Sequence, residues 1–179
     1  MDWMVRVFVI SYGQDDPKKC SALKMVRLGY AVRVSSFHEL PKKCLILNPL
    51  SNKVLTPPDR FYISNYGLAV IDVSWNEGID ILKELLRDKR PQRVLPILFA
   101  GNPINYAVAT KLSSLEATAA ALFITGFKDE ALKILSIVKW GDTFYKLNKE
   151  LLELYSRCSN VDEVNNIQKE VIKKISNNG

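Results

Sequence analysis

The sequence is poor in the residues that most enzymes use for metal binding and acid–base work. It contains one histidine, His38, and three cysteines, Cys20, Cys44 and Cys158, with no metal-ligand spacing among them. A histidine metal site and a catalytic triad are therefore not expected. An odd number of scattered cysteines points to reduced thiols and a cytoplasmic setting. No apolar run approaches the ~20 residues that a membrane helix needs. The opening MDWMVRVFVISY lacks the charged-then-apolar build of a signal peptide and is expected to begin with a strand. GxxxxGK[ST], GxGxxG, CxxC and HExxH are all missing, which counts against a P-loop NTPase, a Rossmann dinucleotide enzyme and a zinc enzyme.

What is present fits an ordinary globular chain, with 179 residues, 47% hydrophobic and 25% charged. The net charge is +6, and the excess is uneven. Lys18, Lys19, Lys24, Arg27, Arg33, Lys42, Lys43, Lys53 and Arg60 crowd the first third. Such a surface suits nucleic acid, or it is simply a lysine-rich solvated face; composition does not choose between them.

Strand-like apolar runs occur at 5–11, 31–35, 44–47, 68–72 and 93–99, with helical periodicity at 18–28, 58–66 and 76–87 between them. Strands alternating with helices predict an α/β fold with a mostly parallel sheet. After residue 102 the texture becomes helical. An Ala-rich helix is expected to stop at Gly126, two amphipathic helices to be broken at Trp140-Gly141, and a last one to fill NVDEVNNIQKEVIKKIS. The division is thus 1–100, an N-terminal α/β domain, and 101–179, a helical C-terminal domain.

Open parallel sheets bind ligands at the carboxyl ends of their strands. Three loops fall there, YGQDDPKKCS, DVSWN and FAGNPINYAVATKLSS. They carry Ser21, Asp72 with Ser74, and Asn102, Asn105, Thr110, Ser113 and Ser114. Helices beginning after Lys19 and after Leu112 would aim backbone amides at a small anion between them. Taken singly, Ser21, Ser113 or Ser114 could be no more than N-caps and Asp72 a cap of the next helix. Trp75, one turn beyond the strand ending at Asp72, could be core or the wall of a ligand site. Cys20 and Cys44 are expected to be inert small hydrophobes.

Longer blocks carry a resemblance. DDPKKCSALKM, NPLSNKVLTPPDR, GLAVIDVSWN, RVLPILFAGNPINYAVATKLSSLEATAAALFITGFKDEA and VKWGDTFYKLNKELLELY resemble, in order, the small-subunit rRNA aminocarboxypropyltransferase family, and most closely its archaeal form. The resemblance implies a SPOUT-like parallel sheet with a deep trefoil knot. It implies S-adenosylmethionine (SAM) as co-substrate, no metal, and transfer of the 3-amino-3-carboxypropyl (acp) group to N3 of a methylated pseudouridine. Methylthioadenosine would be released. The implied partner is small-subunit rRNA or the pre-ribosomal small subunit, with no membrane, and the protein is expected to be a cytoplasmic monomer. A SPOUT-type RNA methyltransferase and a non-enzymatic assembly factor are the alternatives.

On this resemblance Ser21 and the Ser114 amide hold the methionine carboxylate, and the Ile71 backbone holds the ribose. Leu47, Leu95 and Thr110 frame the adenine, and Trp75 covers the S-methyl group. Asp72 is the candidate for assisting loss of the N3 proton. Lys18, Lys19, Lys42, Lys43 and Arg60 are the candidates for RNA phosphates. Three positions depart from the family pattern: Val73 replaces an expected Cys, Ser21 an expected Thr, and Thr110 an aromatic.

Overall fold

The computed structural model describes residues 5–12, 20–72 and 75–178, with the side chains of residues 75–77 outside the described part. Five strands form one parallel sheet: β1 (Val7–Ser11), β2 (Val32–Val34), β3 (Leu45–Leu47), β4 (Leu68–Asp72) and β5 (Gln92–Arg93), in the order β2-β1-β4-β3-β5. The helices are α1 (Ser21–Arg27), α2 (Arg60–Tyr66), α3 (Trp75–Leu85), α4 (Ser114–Ile124), α5 (Lys128–Leu135), α6 (Gly141–Ser156) and α7 (Val161–Asn177). Two short 3₁₀ turns, Phe37–Glu39 and Pro57–Asp59, complete the chain among the described residues.

The period of two along each strand divides the core into two layers. Val7 and Val9, Leu45 and Leu47, and Leu68 and Val70 face one side, where they pack with Met25 of α1 and with Leu115, Ala119, Leu122 and Phe123 of α4. Ile10, Ile46 and Ala69 face the other, against Leu40, Cys44 and Leu85 of α3. Burial on both faces is why these strands read as unbroken apolar runs. Each fully buried Leu, Ile or Phe contributes ~1.5–3 kcal/mol. Helix α4 is buried along most of its length, from Leu115 to Ile124, which explains its run of small and apolar residues.

The expected strand at 93–99 is not there. Only Gln92–Arg93 joins the sheet, and beyond it isolated bridges remain at Val54↔Val94 and Phe99↔Ala109. Pro96 has no N–H to give to a ladder. The helix expected from residue 18 begins, in the described residues, at Ser21. The stretch expected as one helix from Pro58 opens as a 3₁₀ turn before α2. Gly126 does end α4, at φ +94, a conformation that L side chains rarely adopt.

Candidate functional site

Parallel strands end together, and here the ends of β1 and β4 lie side by side, with Ser11 in register with Asp72. Helix α1 follows β1 onto one face and α3 follows β4 onto the other. The crevice where successive helices leave in opposite directions is the general ligand site of open α/β sheets. Beside it opens a cavity of about 430 Å³, lined by Leu47 at the end of β3, Ile71 in β4, Leu95, Thr110 and Ser114. Its size is that of a small-molecule pocket.

The polar end of this cavity is built by Ser113 and Ser114 at the start of α4, against which the start of α1 packs. Ser113, not Ser114, is the N-cap of α4: its Oγ accepts from Glu116 N at 3.2 Å, while Glu116 Oε1 accepts from Ser113 N at 2.8 Å. Glu116 is fully buried and also accepts from Gly101 N (2.6 Å), Asn102 N (3.2 Å) and Asn102 Nδ2 (2.7 Å). One carboxylate thus ties the loop before α4 to its first turn. Gly101 must be glycine, because a Cβ there would lie 2.6 Å from the Phe144 backbone of α6.

Helix α1 begins differently. Cys20 is its N-cap and makes no side-chain cap hydrogen bond, so Ser21 is not a cap of its own helix. Instead the Ser21 hydroxyl accepts from Leu115 N of α4 at 3.4 Å, joining residues 94 apart in sequence. The Cys20 thiol donates to Asp72 Oδ2 at 2.9 Å. Burial first, and the Asp72 carboxylate second, push the Cys20 thiol up to about 11, so it is a neutral donor at physiological pH. Cys44, on the opposite face of the sheet, is pushed up to about 12 by burial. Neither has the lowered pKa of a reactive cysteine.

The far wall is an irregular segment, 94–110, whose backbone is matched by side chains. Asn148 of α6 accepts from Phe99 N at 2.7 Å and donates to Phe99 O at 2.7 Å. Gln168 of α7 accepts from Ile97 N at 3.0 Å, and the Tyr155 hydroxyl donates to Ile97 O at 2.9 Å. The helical C-terminal part therefore acts as a substitute neighbouring strand, since a buried backbone group needs a partner. Thr110 adopts φ 64 and donates its N–H to Leu98 O at 2.9 Å. That amide is spent within the protein, and Thr110 can offer a ligand only its carbonyl and side chain.

Five of the expected contact residues, Leu47, Ile71, Leu95, Thr110 and Ser114, meet around one cavity; Ser21 does not line it, but bonds Leu115 N, the neighbour of Ser114. Trp75 is the first residue of α3, but its side chain lies outside the described residues, as do Lys18, Lys19, Val73 and Ser74 altogether. Lys42 and Lys43 precede β3 and so stand at the opposite end of the sheet from the cavity. Arg60 is an exposed residue whose guanidinium is partly engaged by the protein. Its Nη1 donates to Thr125 O at 3.0 Å, at the C-terminus of α4, and its guanidinium lies 4.1 Å from the Phe127 ring centroid.

Sequence reasoning passed over Glu116, Asn148 and Gln168, and named Asn102 only as one of the polar groups of its loop. Only Glu116 had a local signal, as the fourth residue of Ser113-Ser114-Leu115-Glu116, the capping-box spacing.

A family model described as "Ribosome biogenesis protein, C-terminal" matches residues 45–172. A second, described as a possible Fer4-like domain in RNase L inhibitor, matches residues 5–36. Iron–sulfur clusters are held by several cysteine thiolates, and that stretch has only Cys20, so its donors do not fit one. Two relatives named 16S rRNA aminocarboxypropyltransferase are similar over nearly the whole chain. The one from Methanocaldococcus jannaschii is 43% identical, covering 96% of this chain and 98% of its own. The one from Sulfurisphaera tokodaii is 44% identical, with the same coverage. Among solved structures, that of the SAM-dependent rRNA:acp-transferase Tsr3 from Vulcanisaeta distributa superposes with a TM-score of 0.84 at 39% identity, covering 98% of this chain and 100% of that one.

Proposed function

The chain belongs to the 16S rRNA aminocarboxypropyltransferase family, and on that premise we propose how its cavity does the work. The protein is a SAM-dependent transferase that places an acp group on 16S rRNA in ribosome biogenesis. The observation that carries the reading is the joining of two helix starts, by the Ser21 hydroxyl on Leu115 N, next to Ser114, which lines an otherwise largely apolar cavity.

A SAM molecule needs a flat apolar slot for adenine, a polar end for its amino-acid carboxylate, and a closed wall around the sulfonium. Leu47, Leu95 and the Thr110 carbonyl frame the adenine, and the Ile71 backbone takes the ribose hydroxyls. The amides of Leu115, Glu116 and Ala117 already have acceptors in Ser21 Oγ, Ser113 Oγ and Ser113 O, which leaves the Ser114 amide for the carboxylate. Ser21 accepts one hydrogen bond and keeps its own proton to donate to the same carboxylate. Trp75, whose backbone opens α3 just beyond Asp72, is the residue assigned to the S-methyl group.

Bound SAM supplies an electrophilic sulfonium with three carbons open to attack, so selectivity is a matter of orientation. The cavity holds the acp Cγ toward the acceptor and shields the methyl. N3 of a methylated pseudouridine bonds to Cγ as the Cγ–S bond breaks, and its electron pair stays on sulfur in methylthioadenosine. Asp72 takes the N3 proton or steers it to water. Cys20, donating to Asp72, keeps that carboxylate in place.

The finer topology we assign is the SPOUT-like trefoil knot of an archaeal-type enzyme. It rests on the family blocks, and the parallel sheet is the part of it that the fold carries. The two-part division stays functional, 1–100 giving the strand ends and 101–179 closing the pocket from Thr110 to Ser114. No helix among the described residues is long and apolar enough to cross a membrane, and a cytoplasmic site of action goes with the rRNA substrate. We take the protein to act as a monomer. Lys18, Lys19, Lys42, Lys43 and Arg60 are assigned to rRNA phosphates. Replacing Lys42 and Lys43 together by Glu should then weaken binding at all sequences alike and lower the salt slope by about one per lost contact.

The activity test uses SAM labelled in the carboxyl carbon and small-subunit rRNA from a strain lacking this gene. Label in the RNA together with methylthioadenosine is the expected outcome. S-Adenosylhomocysteine with unlabelled RNA would make the protein a methyltransferase, and no SAM binding at all would leave an assembly factor.

A further inference from the structure

The 98–110 segment folds back on itself beside the cavity, and its tip is apolar and exposed. Ile104 is 90% exposed, Tyr106 59% and Val108 45%. Single exposed apolar residues are ordinary; three within five residues of one loop are not. The loop is held firmly. Ala100 N donates to Val108 O at 3.0 Å, Asn105 N to Asn102 Oδ1 at 3.0 Å, and Thr110 N to Leu98 O at 2.9 Å. Asn102 is in turn fixed by the buried Glu116. Ala107 and Thr110 both sit at positive φ, 61 and 64, a conformation unfavourable for residues with a Cβ. The protein thus spends stability to present this tip, and the strand returning from it, Thr110, Lys111 and Leu112, is itself a wall of the cavity.

We propose that Ile104 and Tyr106 form a stacking platform for a base of single-stranded rRNA next to the acceptor nucleotide. The proposal rests on the acp-transfer reading above. For N3 of a uridine-type base to reach a carbon inside the cavity, the base must leave its stack. Its neighbours are then splayed out, and unstacked RNA bases are gripped by aromatic side chains rather than by phosphate contacts alone. An exposed tyrosine on a rigid tip, continuous with the cavity wall, fits that partner. The platform adds grip on the strand where the basic residues grip the phosphates.

The test reads binding without turnover. A fluorescently labelled small-subunit rRNA loop hairpin is titrated with the full chain and with its Tyr106→Ala, Tyr106→Trp and Ile104→Ser variants, and SAM is titrated separately by calorimetry. Tyr106→Ala should weaken hairpin binding by about tenfold, and Tyr106→Trp should stay within about twofold of the parent. SAM affinity and the melting temperature should not move in either variant. An unchanged hairpin affinity in Tyr106→Ala would overturn the platform. So would an equal loss of SAM affinity, which would make the tip a mere support of the cavity. A defect seen only with assembled pre-ribosomal subunits and not with the bare hairpin would also overturn it, since the tip would then dock protein. A parent chain that binds the hairpin through Tyr106 but transfers no label would sink the activity and leave the platform standing.

Discussion

Helices α1 and α4 start side by side, α4 at the cavity and α1 next to it, yet they are secured in opposite ways. The start of α4 satisfies itself, with a Ser113–Glu116 box and a buried carboxylate that also holds Gly101 and Asn102. The start of α1 has no side-chain cap of its own. Its Ser21 hydroxyl reaches across to α4, and its Cys20 thiol reaches down to Asp72. A helix end whose groups are turned outward is one prepared for a partner. On the proposed reading, α4 is thus secured by its own groups and lends the ligand only its Ser114 amide, while α1 lends the Ser21 hydroxyl.

The comparison breaks most severely at Glu116. Replacing it with Ala strips the acceptor from four donors, two of them on Asn102, in a fully buried setting. A loss of about 3–5 kcal/mol is expected in urea unfolding, and a loss below about 1 kcal/mol would mean that α4 is not secured by this carboxylate. Ser21→Ala sharpens the contrast from the other side. It should cost the fold only about 1 kcal/mol while weakening SAM binding by about tenfold in calorimetry, and Ser21→Thr, which keeps the hydroxyl, should bind as the parent does. Tyr155→Phe removes the hydroxyl that holds Ile97 O in the far wall, and a stability loss of about 1 kcal/mol is expected by the same unfolding measurement.

The last prediction is a pH dependence. The Cys20 thiol is raised from 9.0 to about 11 and Cys44 from 9.0 to about 12. A raised thiol pKa means the folded state holds its proton more tightly than the unfolded chain does. The resulting stabilisation is complete below pH 9 and disappears as pH rises through 11 for Cys20 and 12 for Cys44. Melting temperatures measured from pH 8 to 12 should fall less steeply in Cys44→Val than in the parent, with Cys20→Ala showing a smaller difference confined to the lower part of that range. Curves parallel to the parent would show that these thiols titrate alike in both states.

Much of this was legible in the sequence wherever the cause is local. The doubly buried strands β1 and β4 announce themselves as unbroken apolar runs and Gly126 as a helix stop, whereas the break expected at Trp140-Gly141 lies just before it, since α5 already ends at Leu135 and Gly141 opens α6. The carboxyl ends of the strands pointed to the crevice, and five of the contact residues named from the family blocks do line one cavity. What stayed hidden is what depends on distant partners. The stretch after Arg93 has strand-like residues, but its backbone is satisfied by Asn148, Tyr155 and Gln168, from 49 to 71 positions away, rather than by a ladder. Ser21 looked like an N-cap because its own helix is all that local sequence shows. Its true partner, Leu115, is 94 residues on. The choice between Ser113 and Ser114 could have been made from Glu116 alone.

The most direct test of Ser21 of α1 as a ligand contact is a pair of affinities, SAM against 5′-methylthioadenosine, for the parent and for Ser21→Ala. The two ligands share adenine, ribose and sulfur, and only SAM carries the carboxylate assigned to Ser21 and Ser114. The parent should prefer SAM by at least about tenfold, and Ser21→Ala should lose most of that preference while its affinity for methylthioadenosine stays the same. Equal affinities in the parent, or a Ser21→Ala defect that falls on both ligands alike, would contradict it.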